Sequence, residues 1–219
     1  MRYLFSIVFL LFSVEAKTIE IVKKPIIFQK KRIDLTKEYI WKHYGIHAKS
    51  IQIQPKIIVL HWTTMMTLQT SYNFLKNQTL RNTRPDISKA GALNVSAHYL
   101  VDRDGTIYEL MPDNKMARHV IGLNYSAIGI ENVGGRANKE EDLTKAQLKS
   151  NILLVEYLVK KYPEIKYLIG HYEYKKMQKT SLWLEKDKSY RTYKVDPGKR
   201  FMKAVRKAVQ KLGLKQAPK

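Results

Sequence analysis

Two apolar runs in this chain end on an imidazole. "IIVL" (57–60) is followed by His61, and "YLIG" (167–170) by His171. Runs of that length and composition read as buried strands, so each histidine is expected at a strand's C-terminal end. Two neutral imidazoles need a third ligand to make an open, catalytic-type zinc site. The best candidate is Asp196 in "YKVDPGKRF". The competing reading is strong, because Asp before Pro is also a helix N-cap followed by proline at the first helical position. Spacing leaves cap and ligand both open, and a carboxylate with two oxygens can serve as both. His43 and His47, four apart, mimic a helical metal pair, but Gly45 lies between them and breaks the helix.

The elements that must position these residues follow from periodicity and punctuation. "LTKEYIWKHYG" predicts a short helix, with Leu35 and Ile40 as a hydrophobic staple around Thr36 and Gly45 as the stop. "SAHYLVDRDGTIYEL" predicts a hairpin about Asp104-Gly105, and "SAIGIENVGG" (126–135) a strand with a glycine-rich exit. "LTKAQLKSNILLVEYLVKKY" is the clearest helix, with a Thr144/Gln147 capping box, a Leu143/Leu148 staple and Pro163 beyond its end. A last helix, from about Pro197 to Leu212, places Phe201, Ala204, Val205, Ala208, Val209 and Leu212 on one face. No internal repeat is visible. Strands alternating with amphipathic helices predict a single α/β domain, a central mixed β-sheet flanked by helices. Ligands in such sheets gather at the C-terminal ends of strands, which is where the two histidines are expected.

Charge and composition narrow the setting. Lys and Arg number 40 against 19 Asp and Glu, a formal net charge of +21. Such an excess calls for a polyanionic partner: nucleic acid, an anionic membrane surface or a wall polymer. "MRYLFSIVFLLFSVEAKT" has the basic start, short apolar stretch and small residue (Ala16) of a secretory signal peptide. Residues 1–16 are therefore expected to be removed on export, with an uncleaved anchor as the alternative because the small-residue site at Val14 and Ala16 is imperfect. The location is periplasmic or secreted, where membrane and wall polymer are met rather than nucleic acid. The chain has no cysteine, which excludes disulfides and a cysteine-linked lipid anchor. Residues 17–32 read as an N-terminal extension, 33–212 as the domain, and 213–219, ending "KQAPK", as a disordered tail.

Taken in order, "IIVLHWT", "VSAHYLVDRDGTIYEL", "ARHVIGLNYSAIGIENVG", "LTKAQ", "LIGHYE" and "KVDPGKRF" resemble the zinc-dependent N-acetylmuramoyl-L-alanine amidases, which include phage lysozyme-type amidases and peptidoglycan recognition proteins. The likeness runs over residues 33–210, and the order of several motifs makes it specific. It implies His61, His171 and Asp196 as zinc ligands, Glu131 as the catalytic glutamate and Lys194 as the lysine two residues before the last ligand. It also implies His98 and His119 near the substrate cleft, with Trp62 as a further substrate contact. One version of the family's site carries a tyrosine before the hairpin histidine and a cysteine as third ligand; the other carries glutamate and aspartate. Ala97 and Asp196 match the second.

The implied activity is hydrolysis of the amide between N-acetylmuramic acid and L-alanine in peptidoglycan. Glu131 would move the proton and Lys194 would stabilise the oxyanion. The alternative is a recognition module that kept the groove and lost catalysis. The full ligand set together with Glu131 and Lys194 argues against it. The chain departs from compact relatives in a longer segment between His171 and Asp196, with Tyr172, Tyr174, Trp183, Tyr190 and Tyr193, which either lines a glycan groove or anchors a lid.

Overall fold

The computed structural model describes residues 18–81 and 84–219, so the expected signal peptide, 1–16, lies outside the described residues. The strands are β1 (Val22–Lys23), β2 (Ile57–Trp62), β3 (Tyr99–Val101), β4 (Ile107–Glu109), β5 (Ala127–Asn132) and β6 (Tyr167–Gly170). The α-helices are α1 (Lys30–Tyr44), α2 (Leu68–Leu75), α3 (Pro85–Ser88), α4 (Lys145–Lys161) and α5 (Lys199–Ala208). The sheet order is β1-β4-β3-β5-β2-β6. β3 and β4 pair antiparallel as the expected hairpin, and the remaining pairings are parallel, so the sheet is mixed.

Every residue of β2 is buried, which is why its sequence is an unbroken apolar run rather than an alternation. Ile57 and Val59 pack into one layer with Tyr39 and Ile40 of α1. Ile58 and Leu60 pack into the other with Leu154 and Leu158 of α4 and Met202 and Val205 of α5. Each such side chain contributes about 1.5–3 kcal/mol by leaving water. Side chains alternate along a strand, so His61 falls on the α1 side with Ile57 and Val59.

α4 forms as its sequence dictates. Thr144 Oγ1 accepts from Gln147 N–H at 3.1 Å and Thr144 N–H donates to Gln147 Oε1 at 2.9 Å. Leu143 and Leu148 pack against the same cluster, and the helix ends two residues before Pro163. Gly45 stops α1 at φ 67°, its N–H donating to Trp41 O at 2.9 Å.

Several expectations are corrected. α1 starts at Lys30, so Thr36 is internal, its Oγ1 donating to Arg32 O at 2.7 Å. The earlier start is held from a distance: Gln78 Oε1 accepts from Arg32 N–H at 3.0 Å, a cap supplied from 46 residues away. Within the expected N-terminal extension, 17–32, the described residues from 18 onward join the domain, because β1 pairs with β4 and Ile26 is buried among Leu75, Leu100 and Leu110. The last helix starts at Lys199 with Gly198 at its N-cap, so Asp196 is not the cap. Ala208 is exposed and Met202 takes the core position instead, while Leu212 lies in a separate short turn. The tail is ordered against β6: Leu168 N–H donates to Lys215 O at 3.0 Å, Lys215 N–H to Lys166 O at 2.8 Å, and Ala217 packs on the core.

Candidate metal centre and cleft

β2 and β6 deliver their histidines side by side. His61 occupies the fifth position of β2, and His171 begins the turn immediately after β6 rather than closing the strand. The loop before α5 brings Asp196 against both. His61 Nδ1 and His171 Nδ1 are 2.9 Å apart, His171 Nδ1 and Asp196 Oδ2 2.9 Å, and His61 Nδ1 and Asp196 Oδ2 3.3 Å. All three residues are buried. Tetrahedral zinc with bonds of about 2.0–2.1 Å sets its donors about 3.3–3.4 Å apart, close to this triangle. The donor set, two imidazoles and one carboxylate, therefore fits zinc.

Neighbouring groups prepare these atoms for that task. His119 faces two partners: Ala127 O lies 3.2 Å from its Nε2, and His61 Nε2 lies 3.0 Å from its Nδ1. A carbonyl only accepts, so His119 carries its proton on Nε2 and accepts at Nδ1 from His61 Nε2–H. That leaves a lone pair on His61 Nδ1, pointing into the triangle. Gly129 makes room for this arrangement, since a Cβ there would stand 2.7 Å from the His119 ring. Burial lowers the pKa of His171 to about 4, keeping it neutral, although Asp196 acts in the opposite sense. Burial opposes the Asp196 charge, but His171 and His61 outweigh it and hold the carboxyl well below its usual range.

Glu131 stands beside the triangle because β5 pairs with β2 in the register His61 opposite Glu131. Parallel neighbours in register project to the same face. Its Oε2 is buried and has no hydrogen-bond partner among the described residues. Burial raises its pKa to about 7, with His61 opposing the shift and Asp196 reinforcing it. Lys194 lines the same cleft, and burial lowers its pKa while Asp196 raises it.

The cleft encloses about 470 Å³, and Trp62 and His119 also line it. Trp62 Nε1–H donates to Asn138 Oδ1 at 2.8 Å, and Gly135 leaves space for its indole. His98 does not reach the cleft. It is fully buried behind His119, with Nε2 donating to Lys115 O at 2.8 Å and Nδ1 accepting from Gly129 N–H at 2.9 Å. That corrects its expected place beside the substrate: both nitrogens are occupied by backbone. His43 is likewise structural, bonded to Glu185 through Nδ1 at 3.0 Å and to Ala90 O through Nε2 at 2.8 Å.

Sequence reasoning missed Arg84 and Asp86 on the cleft wall, held together by two contacts of 2.9 Å. Asp86 sits on a four-residue helix with no periodicity to detect and Arg84 is the residue before it, and the only local signal was Pro85 at its first position. The aromatic segment holds both buried rings and rings that line the cleft. Tyr174 and Tyr190 are buried anchors, with Trp183 stacked on Tyr174 at 6.1 Å. Tyr190 also lines the cleft, and Tyr193 stands at the cleft 83% exposed.

Residues 51–199 match the model of a family described as N-acetylmuramoyl-L-alanine amidase. The endolysin of Escherichia phage T7 is 32% identical over 101 residues, 45% of this chain and 66% of that protein. The endolysin of Klebsiella phage KP32 is 33% identical over 84 residues, 36% of this chain and 56% of that protein. The chain thus spans less than two thirds of the length of these curated relatives. Among solved structures, the N-acetylmuramoyl-L-alanine amidase LysC from Clostridium intestinale superposes with a TM-score of 0.50 at 23% identity, over 90% of this chain and 100% of LysC. That likeness speaks for the fold.

Proposed function

Because this chain belongs to the N-acetylmuramoyl-L-alanine amidase family, we propose that it hydrolyses the amide joining N-acetylmuramic acid to L-alanine in peptidoglycan. The observation that carries the reading is the buried carboxylate Glu131, with an oxygen free of partners, set beside a triangle of donors that fits zinc. His61, His171 and Asp196 hold the metal, with His119 fixing the tautomer of His61. When bound, zinc supplies a Lewis acid that polarises the scissile carbonyl and acidifies water.

The chain's own groups do the rest. Glu131 Oε2 accepts a proton from the attacking water, and a carboxyl that titrates at about 7 can then return it to the leaving nitrogen of L-alanine. Lys194 brings positive charge to the oxygen that becomes anionic as the carbonyl turns tetrahedral. Lys194 offers a positive charge inside the cleft towards a substrate carrying stem-peptide carboxylates, Arg84 being paired with Asp86, and Trp62 offers an aromatic surface beside it. Export belongs to the same reading, supported by the signal-like pattern of residues 1–16 and by the location of the polymer attacked.

Digestion of purified sacculi followed by mass spectrometry tests the proposal. Stem peptides with a free L-alanine amino group should appear, should cease with a chelator and should return with zinc. Binding to sacculi without release of such peptides would identify a recognition module instead.

A further inference from the structure

A second concavity, of about 410 Å³, lies between α5 and the C-terminal tail, and it shares no lining residue with the cleft. Its floor is apolar: Leu168, Val209 and Leu214. Its wall is one stripe of α5, Lys199, Lys203, Arg206 and Lys207, which helical spacing brings to one side. The segment 199–219 holds eight Lys and Arg and no acid.

The cations of this segment are not alike. Arg200 is committed to Glu141, Lys211 to Glu156, and Arg206 to Glu173 and Leu168 O. Lys199, Lys203 and Lys207 are exposed and have no acidic partner among the described residues. Holding three like charges on one stripe of a ten-residue helix costs stability unless an anion answers them. They recur about every 6 Å along the helix axis, the scale of one repeat of an extended phosphodiester chain.

We propose that this groove binds a linear, base-free phosphodiester polymer of the cell envelope, a site separate from the cleft. Two observations choose this occupant over other polyanions. A helix holds firmly to a bilayer when apolar side chains insert beside its cations, and the apolar face of α5 is instead buried in the core through Phe201, Met202 and Val205, which leaves charge alone to hold a membrane. Among the described residues the large exposed hydrophobics are Val22, Ile27, Trp41 and Tyr193, and none is in this segment. Single-stranded nucleic acid is gripped by stacking on aromatic rings, and the groove wall has none. α5 runs antiparallel to β6, with Met202 against Gly170 and Arg206 against Leu168, and it starts three residues after Asp196. A chain lying along α5 would therefore have one end close to the cleft.

The full chain should be titrated with soluble poly(glycerol phosphate), phosphatidylglycerol vesicles and single-stranded DNA at several salt concentrations. The parent should bind the polymer most tightly. The triple variant Lys199→Gln/Lys203→Gln/Lys207→Gln should bind it roughly 10–100-fold more weakly at low salt, with a log–log salt slope shallower by about 2, roughly 0.7 for each lost contact. Its cleavage of a small soluble muramyl peptide should match the parent's. That readout separates failure of this site from failure of the amidase reading. A control, Lys31→Gln/Lys49→Gln/Lys89→Gln, removes the same charge elsewhere and should keep the parent's affinity within a few-fold. Equal losses in both triples would overturn the site in favour of diffuse charge. Tighter binding to vesicles, or DNA binding as tight as the polymer's, would overturn the choice of ligand.

Discussion

At Glu131 a strand register sets the position of a candidate base. Pairing with His61 places the carboxylate on the same face of the sheet as the donor triangle, and burial leaves Oε2 without a partner. If that oxygen moves the proton, Glu131→Gln keeps the shape and removes the base. Activity should fall by about 10²–10⁴ with zinc content unchanged. Asp196→Ala should lose zinc and activity together, since two ligands remain. Metal analysis beside a cleavage assay checks both, and a Glu131→Gln protein as fast as the parent would sink the mechanism. His119 acts one step further out, through the tautomer of His61. His119→Ala is expected to weaken zinc binding roughly 10–100-fold, measured by competition with a chelating dye. Unchanged affinity would mean that His61 keeps its tautomer without help.

Between elements, the segment from His171 to Asp196 carries a candidate metal ligand at each end and is pinned in the middle. Glu185 meets His43 of α1 in the core, and Arg118 reaches Tyr190 at 3.1 Å. Glu185→Ala strands a buried imidazole nitrogen and opens a gap. Stability should fall by about 3 kcal/mol, read as a shift of the urea midpoint with little change in slope. A shift under about 0.5 kcal/mol would show that the segment is held elsewhere. This contact illustrates what the sequence could not convey. α4 was legible because its capping box, staple and terminating proline lie within the helix or next to it. The start of α1 was not, because its cap is Gln78. His43 looked like half of a metal pair because its partner is 142 residues away. Asp196 shows the same limit: local rules favoured a cap, and only the fold brings it to two histidines. The two strands were legible because burial and chain direction are both written in an apolar run, although β2 runs one residue past His61 and β6 stops one residue short of His171.

Across the whole molecule, cations outnumber acids by 40 to 19, so each well-placed carboxylate matters to cohesion. Asp113 is the clearest case away from the cleft. It accepts from Tyr99 Oη–H at 2.8 Å, from Tyr162 Oη–H at 2.5 Å and from Lys161 Nζ–H at 2.9 Å, joining β3 to the end of α4. Burial pushes its carboxyl up, but the hydrogen bonds from Tyr162, Lys161 and Tyr99 together outweigh that and hold its pKa below the usual value. A carboxyl depressed in the folded state binds its proton more readily when unfolded. The stability it adds is therefore complete above the unfolded value of about 3.9 and is lost as pH falls through the lower folded value. Asp113→Asn should cost about 2 kcal/mol at pH 7, where charge-assisted bonds are lost. The gap between parent and variant should stay level down to about pH 5 and then close through pH 4 and below. Urea unfolding of both proteins from pH 2 to pH 7 measures it. A gap of constant size down to the lowest pH would mean that Asp113 contributes through packing, and that its ionisation is not linked to folding.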